Sequence, residues 1–180
     1  MVAFDATMLL LLFSPNVPPP LDPVTGQPVK FARERIDFLI AHLEKEKIKI
    51  IIPTPALSEI LVKSGTAGPE YLERLTTSSA FKIVPFDIRA AIEVAAMTRQ
   101  AIDQGNKRFG TNAHAIWAKV KYDRQIVAIA KVEEASAIYS DDDDVRKLAQ
   151  AQGMTIIQLP ELPLPPDAAQ TNLPLGSESN

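Results

Sequence analysis

Four carboxylates far apart in the chain, Asp5, Glu59, Asp123 and Asp142, are the residues whose types and settings could do chemistry together. Asp5 directly follows the apolar triplet Val2 to Phe4, and Asp142 sits in the run Asp141 to Asp144, just after Ala137 to Tyr139. Glu59 lies early in the helical stretch after Ile48 to Ile52, and Asp123 precedes the apolar residues Ile126, Val127, Ile129 and Ala130. Carboxylates crowded into one pocket repel one another, and some are driven to take up protons. A divalent cation removes that penalty. Magnesium and manganese prefer oxygen ligands and are held by a few carboxylates plus substrate phosphates. Such an ion activates water and neutralises charge building up on a phosphodiester. The chain has no cysteine and two histidines, His42 and His114. A structural zinc cage is therefore disfavoured, and both histidines read as surface or helix-face residues.

The run Asp141 to Asp144 has a plainer reading as the solvated start of a helix, favoured by the macrodipole, with Ser140 as its N-cap. It lacks the spaced acids, glycine and terminal glutamate of an EF-hand loop. What favours a site is position. Ligands of open parallel sheets bind beyond the carboxyl ends of the strands, and the strand before Ser140 should neighbour the one that ends on Asp5.

The elements that must position these acids follow from periodicity and punctuation. Val2 to Phe4 reads as a short strand, followed by a proline-rich excursion, Ser14 to Pro28, with Pro18, Pro19 and Pro20 in succession. Ile36, Leu39, Ile40 and Leu43 recur at helical spacing within Phe31 to Lys47. Ile48 to Ile52 is a β-branched run stopped by Pro53, as expected of a strand buried on both faces. Helices are expected over Pro55 to Lys63 and Pro69 to Thr76, then a strand over Phe81 to Phe86 and a long helix from Asp87, its cap, to Ile102. After a basic turn, Gly105 to Gly110, the stretch Ala113 to Glu134 has helical composition with a break expected near Asp123. Ala137 to Tyr139 is a strand, Asp141 to Gln152 a helix closed by Gly153, and Met154 to Leu159 the last strand. Strands alternating with helices imply an α/β domain with a mostly parallel, doubly covered sheet. The globular domain is expected over 1–159, with a proline-rich loop at 14–30 and a loose tail at 160–180.

Hydrophobic residues make up 46% of the 180 residues and charged residues 23%, the balance of a globular domain with a sizeable core. The longest apolar run, Met8 to Phe13, soon meets Pro15 and is far short of the ~20 residues that span a bilayer. No signal peptide is apparent, and a cytoplasmic setting fits the lack of cysteine. The net charge of −3 speaks against a generally basic surface. Its distribution is uneven. Between Gly105 and Lys131, six bases (Lys107, Arg108, Lys119, Lys121, Arg124 and Lys131) face one acid, Asp123, a surplus of +5 that leaves −8 elsewhere. One carboxylate in a basic stretch suits a place where a metal and a polyanion meet; a lysine-rich exposed helix face has the same composition.

Taken together, VAFDAT, IIIPTPALSEIL, KYDRQIVAIAKV and AIYSDDDDVRKLAQAQGMTII resemble the PIN-domain family, over Val2 to about Leu159. The resemblance implies a three-layer α/β/α domain with a mostly parallel central sheet and Mg2+- or Mn2+-dependent cleavage of RNA. It also implies a homodimer and a protein inhibitor, as in toxin–antitoxin pairs. It assigns catalysis and metal binding to Asp5, Glu59, Asp123 and Asp142. The family's hydroxyl–x–acid–x–acid motif falls on Ser140, Asp142 and Asp144, with serine in place of the usual threonine and Asp144 as an auxiliary ligand. Thr7 and Ser58 are candidate supporting hydroxyls. Lys107, Arg108, Lys119, Lys121 and Arg124 are candidate phosphate contacts. The proline-rich insertion and the long Asp87 to Trp117 region make the chain larger than the smallest toxin-like members. Two other readings compete: a silent PIN-like module that binds RNA or a protein, and a receiver- or phosphatase-like protein using Asp5 as phosphate acceptor. The latter lacks the second acid expected beside Asp5, which is followed by Ala6 and Thr7.

Overall fold

The computed structural model describes residues 1–14, 16–108, 111–112 and 116–166. Pro15, Gly110, Ala113, His114 and the tail from 167 onward, Pro174 included, lie outside the described residues.

β1 (Val2–Phe4), β2 (Ile50–Pro53), β3 (Phe81–Val84), β4 (Ile138–Tyr139) and β5 (Ile156–Ile157) form one sheet in the order β3-β2-β1-β4-β5. Every pairing is parallel. Around it lie α1 (Ala6–Phe13), α2 (Ala32–Lys45), α3 (Thr54–Ser64), α4 (Gly68–Thr77), α5 (Ile88–Asp103), α6 (Trp117–Val132) and α7 (Asp143–Ala151). Side chains alternate faces along a strand, so both faces of this sheet must be apolar if both are covered. They are. Ala3 pairs in register with Ile51 and Ile138, and these three lie in a core shared with α5, α6 and α7. Their strand neighbours Val2, Phe4, Ile50, Ile52 and Tyr139 face the opposite core, with residues of α1 to α4. Two cores, one on each side of the sheet, make the three layers.

No helix is expected from the sequence over Met8 to Phe13. In the structure the residues of α1 are buried almost throughout, with Asp5 capping its start, and a helix covered on all sides loses the amphipathic pattern. α6 runs from Trp117 to Val132 without a break at Asp123. β5 is shorter than the expected Met154 to Leu159, and β3 ends before Pro85. α7 ends at Ala151, and Gly153 just beyond its cap Gln152 has a φ of +70°, which suits a residue without a Cβ. The packed chain also continues past Leu159. Leu159 and Leu162 are buried, and Arg35 on α2 donates to the carbonyls of Pro160 and Leu162. No described helix is long and apolar enough to cross a membrane.

The chain order puts β2 and β3 on one side of β1, and β4 and β5 on the other. The order therefore reverses between β1 and β4, and crevices form at such switch points beyond the carboxyl ends of the strands.

Candidate metal centre

Asp5 leaves β1 at that point. Its Oδ1 caps α1 by accepting the Met8 N–H at 2.9 Å, and its Oδ2 accepts the hydroxyl of Ser140, the residue that leaves β4. Ser140 is fully buried and its Oγ in turn accepts the Asp142 N–H at 3.1 Å. One hydroxyl thus ties two neighbouring strand ends together. Asp5 is 3% exposed. Burial pushes its carboxyl up to about 7, against the opposing pull of the Ser140 and Met8 hydrogen bonds and with a further push from Asp141 and Asp142.

Asp142, not Ser140, is the N-cap of α7, its Oδ1 accepting the N–H groups of Asp144 at 2.8 Å and Val145 at 3.2 Å. Asp144 stands in the first turn, and its Oδ1 accepts the Asn112 N–H at 2.7 Å. α6 brings Asp123 to the same place, with Lys119 one turn before it. The Lys119 Nζ lies 2.8 Å from Asp123, 3.0 Å from Asp142 and 3.2 Å from Asp144. One carboxylate oxygen from each of these three acids falls within 4.8 Å of the others. Burial raises Asp123 to about 6; Lys119 opposes the rise, while Asp142 and Asp144 add to it. Asp144 is held below the ordinary range: burial works against its charge, but the Asn112 N–H and Lys119 outweigh it. Burial likewise disfavours the Lys119 ammonium, yet its bonds to Asp123 and Asp142 hold its pKa above the ordinary value.

The structure places the other candidates elsewhere. Glu59 projects from α3 with its side chain 45% exposed and pairs with Lys63 at 2.6 Å, outside the three-acid group. Thr7 is partly buried in the first turn of α1, and the Ser58 hydroxyl donates to Pro55 within its own helix at 2.8 Å. Asp141 turns away and accepts the Leu159 N–H at 2.9 Å, while Asp143 pairs with Arg146 at 2.8 Å. Lys107, Arg108 and Lys121 are exposed, but Arg124 is 1% exposed and points into the fold between α5 and α6, where it reaches Thr98 at 3.2 Å. An arginine so enclosed is no surface phosphate contact. His42 is exposed on α2. Lys119, a candidate phosphate contact by sequence, instead sits among the acids, and its four-residue spacing from Asp123 is the signal that marks an ion pair on one helix face.

No protein-family model matches the chain, and no curated protein matches it. Solved structures do. A chain of FitAB bound to the IR36 DNA fragment aligns with a TM-score of 0.55 and 18% identity, covering 91% of this chain and 98% of that one. A chain of VapBC2 from Rickettsia felis, bound to a DNA fragment from its promoter, gives 0.56 and 12% over 88% and 98%. A chain of DNA-bound VapBC from Salmonella typhimurium gives 0.53 and 14% over 88% and 99%. At such identities the likeness is one of fold: a PIN-like three-layer α/β arrangement around a mostly parallel sheet.

Proposed function

We propose that this chain is a Mg2+- or Mn2+-dependent endoribonuclease whose cation is held by Asp123, Asp142 and Asp144, with Asp5 beside them. One observation carries the reading: oxygens of three acids, from two separate segments, converge within 4.8 Å at the switch point of the sheet. The donor set fits these ions, being all carboxylate oxygen. Bound there, the cation supplies Lewis-acid polarisation of a phosphodiester and activation of water. The chain's own residues do the rest. Ser140 fixes the Asp5 carboxylate and the Asp142 backbone at once, so the β1 and β4 ends hold one geometry. The flexible stem of Lys119 lets its ammonium leave the acids for a substrate phosphate when a cation takes them. Glu59, paired with Lys63, stays outside the ligand set proposed here. RNA as substrate rests on the PIN resemblance.

The test is cleavage of unstructured RNA with Mg2+ or Mn2+, stopped by chelator and by Asp142→Asn. Asparagine is as good an N-cap as aspartate, so this variant should keep its fold and lose turnover. Undiminished cleavage by Asp142→Asn would refute the assignment. A protein partner is a further part of the reading, by analogy with the FitAB and VapBC complexes. It would be a protein that co-purifies with the chain and suppresses cleavage; a chain that purifies alone and fully active counts against it.

One observation favours a second reading, a silent module that binds RNA or a protein. Lys119 already compensates the three acids, so the cluster has a counter-charge of its own. RNA binding with no cleavage in either metal would select it.

A further inference from the structure

Trp117, the one tryptophan of the chain, is partly exposed in the first turn of α6. Three cations surround its ring. The Lys107 Nζ is 4.6 Å from the ring centroid, the Arg124 guanidinium carbon 5.6 Å and the Lys121 Nζ 5.7 Å. Among the described residues, none of the three is ion-paired with a carboxylate. Arg124 is nearly fully buried, and its Nε and Nη2 have no hydrogen-bond partner. A buried guanidinium without a counter-ion is costly, and the indole face offsets only part of that cost. The neighbouring N-terminus of α6 adds positive potential. Ile116 at its N-cap has no side-chain acceptor, and its first turn carries no acid. Cations gathered on one aromatic ring, with no carboxylate paired to them among the described residues, form a place for an anion beside an aromatic surface.

The position relative to the acids is defined by the helix. Trp117, Lys121 and Arg124 recur at four- and three-residue steps and share one side of α6; Lys119 and Asp123 share another and reach the acid cluster. The two features are thus about one helix width, roughly 10 Å, apart. A strand lying across the start of α6 would touch both.

We propose that Trp117 with Lys107 and Lys121 is a subsite for single-stranded RNA, in which an unpaired base stacks on the indole and the lysines take the adjoining phosphates. Arg124 backs the ring from inside as a fixed positive charge. Single-stranded nucleic acids are held in this way, by aromatic platforms inside basic grooves, whereas a duplex keeps its base faces covered. The inference rests on the reading of the acids as a nuclease centre, because that centre gives the strand its direction.

The single tryptophan makes the test direct. In chelator, where cleavage is stopped, tryptophan fluorescence of the full chain is followed during titration with a short unstructured uridine-rich RNA, with anisotropy of the labelled RNA as an independent measure of binding. The expected result is quenching that tracks the anisotropy. Trp117→Ala should weaken binding on the order of ten-fold and Trp117→Phe much less. Lys107→Ala with Lys121→Ala should weaken it and flatten its salt dependence. Circular dichroism of Trp117→Phe confirms that the fold is kept. Binding seen by anisotropy with unchanged fluorescence, or equal affinity for the RNA and its duplex, overturns the proposal. So does quenching by inorganic phosphate as tight as that by RNA, which would reveal a simple anion site. Quenching by RNA with no cleavage in Mg2+ or Mn2+ removes the nuclease reading and leaves the subsite; cleavage with a silent Trp117 does the reverse.

Discussion

Replacing Asp5 by asparagine should stabilise the cation-free protein, and by an amount that depends on pH. Asp5 is 3% exposed and its carboxyl is pushed from the ordinary 3.8 up to about 7. The folded state therefore holds a proton there more tightly than the unfolded chain does. The stability this proton contributes is fully present below about pH 4, falls as pH rises, and is lost once pH has passed through about 7. The size of the rise corresponds to a ceiling of about 4 kcal/mol at 1.36 kcal/mol per tenfold change in binding. Asparagine lacks the ionisation and keeps the capping oxygen for the Met8 N–H. It loses the charge-assisted bond from Ser140, worth about 1–3 kcal/mol. The net expectation at pH 8 is a gain of about 1–3 kcal/mol, or several degrees in Tm for a domain of this size. At pH 5, where wild-type Asp5 is largely protonated, the gain should vanish or change sign. Differential scanning calorimetry of both proteins in chelator from pH 5 to 8 reads this directly. Asp123, also raised, titrates in both proteins and cancels in the difference. A Tm difference that is flat across the range, or an asparagine variant less stable at every pH, would refute burial of Asp5 as a charge cost. Saturating Mn2+ should reverse the order, because the cation stabilises only the carboxylate form.

Two further outcomes follow from the same geometry. Lys119→Met removes the ammonium shared by Asp123, Asp142 and Asp144. Its side chain is 43% exposed, so solvent screening limits the stability lost in chelator to about 1 kcal/mol. Mn2+ should bind several-fold more tightly by calorimetry, since it no longer displaces a cation; weaker binding would make Lys119 an organiser of the ligands instead of their competitor. We extend the proposal to a homodimer, with a contact through Ile88 and Ile92, 79% and 66% exposed and one turn apart on α5. Light scattering should find a dimer that Ile92→Asp converts to monomer, and a wild-type monomer at high concentration would discard that face.

The fold was legible where the pattern had one cause. β2 reads as a buried strand because Ile50, Ile51 and Ile52 face apolar layers on both sides, and α5 begins where Asp87 accepts the Ala90 N–H at 3.0 Å. It was illegible where two causes cancel. α1 is buried almost all round, so it shows no periodicity, and its cap, Asp5, had already been read as a site residue. The same double use recurs at Asp142, whose oxygens cap α7 and also meet Lys119. Capping and metal holding ask for the same residue type at the same strand end, so sequence alone could order the acids along the chain but could not separate these roles.

Glu59 and Lys119 show what kind of information was missing. Each carries a charge paired with a neighbour four residues away on its helix. Glu59 meets Lys63 on an exposed face of α3, whereas Lys119 meets Asp123 among the acids. An ion pair at this spacing is worth only a few tenths of a kcal/mol on an exposed face, so the pair does not fix where its helix face looks. That is set by packing. Val120, Ile126, Val127 and Ile129 pin α6 among buried residues, and this turns Asp123 and Lys119 toward the β4 end. The centre therefore depends on the α6 core as much as on the acids themselves. The acids name a chemistry, and the buried face of α6 makes it a place.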